Sequence, residues 1–271
     1  MTQSVGFRED PLFSVRDRIV VVTGGAGRLG SSLCKSLLSR GAKVVVFDSA
    51  SPAQNGSDIS FHFERVNVTD RGSMAVALAA IERDWGVPHG LVNAAAIDAP
   101  PDAPPEENGP FEDYPVESWD KVMAVNVKGV MLTCQAVGAA MAKAGRGAIV
   151  NISSIYGVVS PDQNLYDYRR KRGEKFYKPA AYATSKSALL NLTRYLATYW
   201  AGSGVRVNTL TPGGVFAGQE RPFLEGYSAR VPLGRMARED EYDGALLFLL
   251  SDASSYMTGA NLVVDGGWTA W

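Results

Sequence analysis

The chain has 271 residues, of which 46% are hydrophobic and 20% charged, a composition typical of a soluble globular protein. Its 27 basic and 28 acidic residues leave a net charge of −1, which argues against a general nucleic-acid-binding protein. No apolar run approaches the length of a membrane span and the first residues lack the layout of a signal peptide, so we expect a cytoplasmic protein. No cluster of side chains has metal-ligand spacing, and Cys34 and Cys134 are interpreted as buried thiols.

From residue 18 onward, segments with strand character alternate with segments of helical spacing. Continuous apolar strands alternating with helices are typical of parallel strands that are covered on both faces. The sequence therefore predicts one α/β domain, a three-layer, doubly wound structure around a seven-stranded parallel sheet. The predicted strands are 18–24, 43–48, 61–68, 89–96, 147–153, 205–210 and 261–264, and the predicted helices are 29–40, 73–85, 116–144, 180–201 and 239–250.

Three stretches depart from this alternation. Residues 99–115 contain six prolines, residues 160–179 are polar, basic and rich in tyrosine, and residues 211–236 have the composition of a loop. The first two follow strands at the carboxyl edge of the sheet, where open α/β folds bind their ligands. We expect them, with a substrate loop at 216–235, to line a substrate pocket and to be more mobile than the core.

The basic side chains of 160–179 allow two interpretations. They could bind a carboxylate or phosphate of the substrate, because guanidinium groups bind such oxygens in pairs. They could equally form a solvated face or a contact between subunits. The residues concerned are Arg169, Arg170, Lys171, Arg172, Lys175 and Lys178.

A glycine-rich turn, TGGAGRLG at 23–30, lies between the first strand and the first helix. Glycines there permit a sharp turn and close approach of a pyrophosphate, and the helix N-terminus offers free N–H groups. Asp48 ends the second strand, where a carboxylate accepts ribose hydroxyls and repels a 2′-phosphate. This favours NAD over NADP, although Arg28 inside the turn could meet a phosphate.

Tyr182 and Lys186 are four residues apart at the start of a predicted helix, and therefore share one face. A phenol with a pKa near 10 is a poor acid or base at neutral pH unless a nearby cation stabilises its phenolate. The pair is therefore a candidate acid–base centre.

Taken in order along the chain, these features resemble the short-chain dehydrogenase/reductase family, in its single-domain branch. The resemblance covers about residues 17–267 and implies a Rossmann fold. The motifs that carry it are TGGAGRLG (23–30), Asp48, NVTD (67–70), LVNAAA (91–96), VNVKG (125–129), IVNISSIYG (149–157), YATSK (182–186), TPGGV (211–215) and VVDGG (263–267).

The resemblance implies a role for each matching residue. Tyr182 corresponds to the proton donor and acceptor, and Lys186 to the residue that lowers its pKa and holds the nicotinamide ribose. Ser154 corresponds to the hydroxyl that polarises the carbonyl, since the second serine of the pair normally has this role, and Asn126 to the asparagine that kinks a helix and orders a relay water. The implied cofactor contacts are Gly24, Gly27, Arg28, Leu29, Gly30, Asp48, Asn67, Val68, Asn93, Ala94, Tyr182, Lys186, Pro212, Gly213 and Val215.

The sequence departs from the family pattern in the glycine turn, where Arg28 replaces a usual glycine, and at Asn67 and Ala94. The resulting spacing G-x-x-G-x-x-G occurs in the sugar-nucleotide branch. The insertion at 160–179 resembles that of enzymes of bacterial surface-sugar biosynthesis, and other relatives oxidise sugars or polyols.

The leading hypothesis is an NAD-dependent oxidoreductase that interconverts a secondary alcohol and a ketone on a small, polar, sugar-derived substrate. The alternatives are a sugar dehydratase or epimerase that recycles its NAD, and a dinucleotide-sensing protein without turnover. The resemblance also implies a homotetramer, or a dimer, formed through helices 116–144 and 180–201. We expect Trp200, Tyr195 and Tyr199, and the terminal Trp268 and Trp271, to extend such contacts, with packing on the parent subunit as the alternative for the last two.

Overall fold

A computed structural model describes residues 10–51, 60–98 and 105–271. Its centre is one parallel sheet with the strand order β3-β2-β1-β4-β5-β6-β7, which confirms the predicted seven-stranded, doubly wound architecture. The strands are β1 (Ile19–Thr23), β2 (Lys43–Asp48), β3 (Phe61–Arg65), β4 (Gly90–Asn93), β5 (Gly147–Ile152), β6 (Val205–Pro212) and β7 (Asn261–Val264).

Helices cover both faces of this sheet. Within the described residues they are α1 (Arg28–Ser39), α2 (Arg71–Asp84), α3 (Val116–Lys143), α4 (Asp167–Lys171), α5 (Ala180–Trp200), α6 (Arg221–Arg230) and α7 (Asp243–Leu250). Successive side chains of a strand point to opposite faces, so each central strand feeds two cores. Val21 and Val45 pack under α2, α3 and α5, whereas Val20 and Val22 pack under α1 and α7.

Two stretches that the sequence analysis assigned to irregular structure contain helices. Residues 160–179 include a 3-10 turn, Gln163–Tyr166, and α4, and the loop at 216–235 includes α6. Their apolar residues are buried in a third cluster with Trp268 rather than in the sheet. Because long-range packing stabilises these short helices, the local sequence pattern gives little sign of them.

The helix α3 is long and apolar enough, by length and composition, to cross a membrane, contrary to the expectation that no segment would be. In the structure, 44% of its apolar window is buried inside the protein. Val130, Cys134, Val137 and Met141 all belong to the core beside the sheet. Its apolar character is therefore accounted for by packing against β4 and β5.

The strand order reverses its direction of growth between β1 and β4, whose carboxyl ends therefore border a crevice. Thr23, at the end of β1, accepts hydrogen bonds at Oγ1 from the backbone N–H groups of Ala94 and Ala95, each at 3.2 Å. These bonds fix the loop that leaves β4 against the loop that leaves β1.

Candidate active site

Tyr182 and Lys186 lie in the first two turns of α5, which begins after Pro179 at the N-cap. Tyr182 and Ser154 line the same cavity, and the Ser154 hydroxyl is close enough to lower the pKa of Tyr182. The Lys186 ammonium is buried, donates to the Ile152 carbonyl at 2.8 Å, and lies 5.7 Å from the centroid of the Tyr182 ring. The three side chains that the motifs implicated are thus brought together at the carboxyl end of β5.

Burial dominates the electrostatics of this group. Desolvation raises the pKa of Tyr182 well above its usual value, and the negative charge of Asp98 raises it further, whereas the hydrogen bond with Ser154 lowers it. Desolvation also lowers the pKa of Lys186 to about 8, and Asp98 opposes that shift. The phenol is therefore held as a proton donor, and its ionisation depends on positive charge placed close to its oxygen.

The two neighbouring serines have different surroundings. The Ser153 hydroxyl is buried and donates to the Lys186 carbonyl at 2.9 Å, so it fastens α5 to the end of β5. The Ser154 hydroxyl oxygen accepts a hydrogen bond from the Tyr156 N–H at 3.1 Å and lines the cavity beside Tyr182. Both serines line the larger cavity, and they differ in that the Ser153 hydroxyl is bonded to the backbone of α5.

Asn126 lies in a π-helical segment of α3, Ala124–Gly129, an irregularity that often marks functional sites. The side chain is fully buried. Its Oδ1 accepts from the Ile97 N–H at 2.8 Å, and its Nδ2 donates to the Ile97 carbonyl at 2.9 Å and to the Ser185 Oγ at 3.0 Å. The asparagine therefore clamps the loop after β4 to α5.

Two cavities, of about 520 and 700 Å³, meet at Arg28, Leu29, Ala94 and Ala96. Most of the residues implicated in cofactor binding line one of them. The smaller cavity is lined by Gly24, Gly27, Arg28, Leu29, Gly30, Asp48, Asn67, Val68 and Ala94, and the larger by Ser154, Tyr182, Lys186, Pro212, Gly213 and Val215 together with Arg28, Leu29 and Ala94.

Asn93 is an exception among these residues. Its side chain is buried, donates to the Asn151 Oδ1 at 2.8 Å, and lies against the Cys134 Sγ at 3.4 Å, outside the lining of both cavities. As the last residue of a central strand, it points into the core instead of the crevice. The Asn93 side chain therefore borders neither cavity, and the predicted cofactor contact of this residue stays a prediction.

The turn after β1 is shaped for close approach. Gly24 has a φ of +69°, and a Cβ on Gly30 would stand 2.1 Å from the Gly24 carbonyl oxygen. Asp48 is fixed beside this turn, because its two oxygens accept the N–H groups of Ala26 at 2.9 Å and Ala50 at 3.0 Å. A backbone cradle at a helix N-terminus and a carboxylate at the strand end fit the pyrophosphate and adenosine ribose of a dinucleotide.

Arg28 is paired with Glu239, which precedes α7. The sequence left open whether this guanidinium would meet a phosphate, and in the fold its charge is balanced by a carboxylate from a distant part of the chain. Two tyrosine hydroxyls bind the backbone of the turn after β6, which lines the larger cavity. Tyr242 donates to the Gly213 carbonyl at 3.0 Å, and Tyr227 accepts from the Gly214 N–H at 2.6 Å.

The larger cavity has an aromatic outer wall contributed by the insertion at 160–179 and the loop at 216–235. The Tyr166 ring packs at a tilt against Phe176 and against Phe223, and Phe223 stacks on Tyr227 of α6. Asp98, just before the stretch 99–115, completes the wall, and residues 99–104 of that stretch lie outside the described residues.

The basic side chains of 160–179 are mostly paired with acids. Arg169 is bonded to Glu174, Arg170 to Asp167, Arg172 to Glu220, and Lys178 to Asp98. Only Arg169 and Lys178 of the basic set line the larger cavity, within the described residues. The cluster is therefore mainly an internal brace of the segment.

Several cavity residues were not identified from the sequence. Asp98, Glu220 and Tyr227 lie outside the motifs given above, and Tyr156 lies within IVNISSIYG (149–157) but was given no role there. Lys178 was noted only as one member of the basic run. Its position four residues before Tyr182, on the approach to the same helix, was the one available sign that it would face the site.

The aromatic residues expected at subunit contacts separate into two groups. Trp200 is buried in the core, and Trp268 is buried against Tyr227 with ring centroids 4.5 Å apart, so both pack within the parent chain. Tyr195 and Tyr199 are exposed and stack on each other at 6.0 Å. Trp271 is also exposed.

The chain is similar to a known family model and to a characterised dehydrogenase. Residues 25–269 match a family model described as enoyl-(acyl carrier protein) reductase. The chain is 32% identical over 281 aligned positions to D-threitol dehydrogenase of Mycolicibacterium smegmatis, covering 99% of each chain.

Solved structures share the architecture. A short-chain dehydrogenase from Leptospira borgpetersenii with bound NAD+ is 33% identical, with a TM-score of 0.87 and 97% of each chain covered. A gluconate 5-dehydrogenase from Burkholderia cenocepacia, in complex with NADP and tartrate, is 27% identical, with a TM-score of 0.83 and coverage of 96% of this chain and 98% of that one.

Proposed function

This chain belongs to the short-chain dehydrogenase/reductase family of oxidoreductases, and on that premise we propose that it interconverts a secondary alcohol and a ketone on a small, polar, sugar-derived substrate with NAD. One observation carries the proposal. Tyr182, with Ser154 and the buried Lys186, lines a cavity that meets the one formed by the glycine cradle and Asp48. The relatives named for a tetritol and a sugar acid support a polyhydroxylated substrate.

The proposed chemistry assigns one task to each side chain. A nicotinamide, when bound, supplies or accepts the hydride. As the phenolate, Tyr182 takes the proton of the substrate hydroxyl during oxidation, and as the phenol it returns that proton during reduction, since it lines the cavity with Ser154 and Lys186. Ser154 holds the substrate oxygen by a hydrogen bond, which strengthens as negative charge develops there.

Lys186 supports this proton transfer electrostatically. Because burial raises the pKa of Tyr182, its phenolate needs a nearby cation, and the Lys186 ammonium lies one helical turn away. With a pKa of about 8, this lysine is protonated at neutral pH and can supply the charge. We further propose that Asn126 keeps the loop after β4 in register with α5, where it would also hold a relay water.

The cofactor proposal is NAD in preference to NADP. Asp48 lies at the end of β2 with its oxygens fixed by two backbone N–H groups, where a 2′-phosphate would be repelled. Pairing of Arg28 with Glu239 reduces its capacity to attract such a phosphate. In this proposal the whole chain forms one NAD-binding domain. The cofactor contacts are made by the predicted residues that line the two cavities, and the side chain of Asn93 supports them from the core.

The proposed substrate wall consists of residues 160–179 and 216–235, together with the stretch that follows Asp98. We also propose a cytoplasmic homotetramer formed through α3 and α5, supported by the exposed, stacked Tyr195 and Tyr199. Replacement of both tyrosines by glutamate should lower the solution mass measured by light scattering. A wild-type mass equal to that of one chain would contradict this assembly.

A steady-state assay tests the central proposal. The purified protein should accumulate NADH when supplied with NAD and a panel of polyols, and Tyr182→Phe should not. A dehydratase or epimerase that recycles its cofactor would convert the sugar without net NADH, and a dinucleotide sensor would bind NAD without converting any substrate. Either result would replace the proposed function.

A further inference from the structure

We propose that Asp98 and Lys178 form a specificity-determining pair, which binds an uncharged hydroxyl next to the reacting carbon and disfavours a carboxylate there. The inference rests on the proposed function and refines the substrate class at the same site. Both side chains line the larger cavity with Tyr182.

The pair is close and well placed. The Lys178 Nζ lies 2.6 Å from each carboxylate oxygen of Asp98, and 5.0 Å from the centroid of the Tyr182 ring. The lysine side chain is only 8% exposed, whereas that of Asp98 is 41% exposed. A nearly buried ammonium is therefore held at the reacting phenol by a carboxylate that remains accessible from the cavity.

Both residues are positioned by buried or half-buried polar clamps on the backbone. Gln163 accepts from the Lys178 N–H at 2.8 Å and donates to the Lys178 carbonyl at 3.0 Å. Asn126 makes the corresponding pair of bonds to Ile97, directly before Asp98. Such supporting contacts reduce the freedom of the side chains that follow, as a preorganised recognition site requires.

The chemistry of the pair favours a neutral hydroxyl. An ammonium has three N–H donors, so one that donates to both oxygens of a carboxylate retains a donor, and a carboxylate accepts more than one hydrogen bond. A substrate hydroxyl can accept from Lys178 and donate to Asp98 together. A carboxylate in the same place would compete with Asp98 for the lysine and be repelled by its charge.

Other cations around the cavity do not reverse this preference. Arg28 is paired with Glu239 and Arg169 with Glu174, and the Lys186 ammonium donates to a backbone carbonyl behind Tyr182. The cavity thus combines paired charges with aromatic walls from Tyr166, Phe176 and Phe223. Alternating donors and acceptors beside aromatic faces match a polyol better than an acid.

Three substrates on one four-carbon skeleton test the pair: butan-2-ol, butane-2,3-diol and 3-hydroxybutanoate. With wild-type protein and NAD, kcat/KM should be highest for the diol and lowest for the hydroxy acid. Lys178→Met, which keeps length and removes the donor, should lower the ratio of diol to butan-2-ol by about tenfold to one hundredfold, the range for a hydrogen bond to a charged group.

The two variants should act in opposite directions on the hydroxy acid. Asp98→Asn leaves the lysine charge without its carboxylate, so the ratio of 3-hydroxybutanoate to butan-2-ol should rise, whereas Lys178→Met should lower it. Lys175→Met, an exposed lysine outside the cavity lining of the same segment, should leave all three ratios unchanged. NAD affinity and melting temperature check that each variant is folded.

The possible outcomes distinguish a failure of the proposed function from a failure of the inference about Asp98 and Lys178. Oxidation of none of the three alcohols by the wild type with either cofactor refutes the proposed function, and this inference with it. A wild-type preference for the hydroxy acid over the diol, unchanged ratios in both variants, or a shift of the acid ratio in the same direction in both, overturns the inference alone. Restoration of the diol preference by Lys178→Arg would support the need for a cation.

Discussion

The two sides of Tyr182 are built in different ways. On the cofactor side, the wall is made of backbone and strand ends, such as the turn at 23–30 and Asp48, and the residues that form it follow successive strands between Gly24 and Val125. On the substrate side, the wall is made of side chains from distant segments, joined by contacts such as Arg172 to Glu220 and Arg230 to Asp162. An enzyme built in this way can keep the same cofactor-binding wall while the side chains of its substrate-binding wall change.

The two sides of Tyr182 also differ in how their charged and polar groups are arranged. On the cofactor side, fixed N–H groups and one carboxylate receive a ligand of known charge pattern. On the substrate side, Arg169, Arg170, Arg172 and Lys178 are each paired with an acid, which leaves a polar wall with balanced charge. We expect cofactor choice to respond to one residue and substrate choice to respond to pairs. Four experiments test this difference between the two sides.

The largest effect is expected at the boundary between the two sides. Tyr182→Phe keeps the ring and removes the hydroxyl, so kcat should fall by about 10²–10⁴-fold, the usual contribution of a general acid or base. The dissociation constant for NAD, from quenching of tryptophan fluorescence, should stay within threefold. Near-normal turnover would remove this hydroxyl from the mechanism.

Lys186 tests the same boundary through stability. Its pKa is about 8 in the folded protein against 10.5 in the unfolded chain, so between these values the unfolded state binds more protons. The free energy of unfolding should therefore rise with pH across this window, by about 3 kcal/mol from this group, because the destabilisation present below pH 8 is relieved.

Urea unfolding of the cofactor-free protein at pH 7 and pH 10 measures this effect. Lys186→Met has no lysine to titrate at this position. The unfolding free energy of the wild type should therefore rise relative to that of the variant by roughly 2–3 kcal/mol from pH 7 to pH 10. The variant provides the control for other groups that titrate in the same range. A difference that does not vary with pH would show that the folded lysine has an ordinary pKa.

On the cofactor side alone, Asp48→Ala should narrow the preference for NAD over NADP. Loss of a carboxylate that accepts ribose hydroxyls removes charge-assisted hydrogen bonds, so kcat/KM with NAD should fall by about tenfold to one hundredfold. The value with NADP should fall less or rise, and substrate KM should hardly change. A wild-type protein that uses NADP as well as NAD would contradict the assignment of this residue.

The smallest effect is expected on the substrate side, at the exposed pair between Arg172 and Glu220. Both side chains are about half exposed, and exposed ion pairs contribute about 0–1 kcal/mol. Glu220→Gln should raise substrate KM by up to about fivefold and leave NAD affinity unchanged, because it loosens α6 from 160–179. Arg221→Met, beside it in an exposed pair with Glu225, serves as control. Equal changes in both variants would show that the link between segments is unimportant.

The seven strands of the sheet, the glycine turn after β1 and the place of Asp48 at the end of β2 could all be predicted from the sequence. Hydrophobic periodicity indicates β1, β2 and β7 to within a residue, and the position of Asp48 at a strand end follows from that pattern. The spacing of Tyr182 and Lys186 on one helical turn is likewise local geometry. Such features depend on neighbours in the chain, which a single sequence displays directly.

The structure of the segments 160–179 and 216–235, and the pairing of charges far apart in sequence, depend on tertiary contacts. The helices α4 and α6 lie where the composition indicated loops, because burial of Tyr166, Phe176 and Tyr227 in a shared cluster stabilises them. Asn93 turned into the core instead of the crevice, and Trp268 packed on its own chain. Arg28 met Glu239, 211 residues away, and Lys178 met Asp98, 80 residues away. Which charge finds which partner depends on closing long loops of chain, and no local pattern records that outcome.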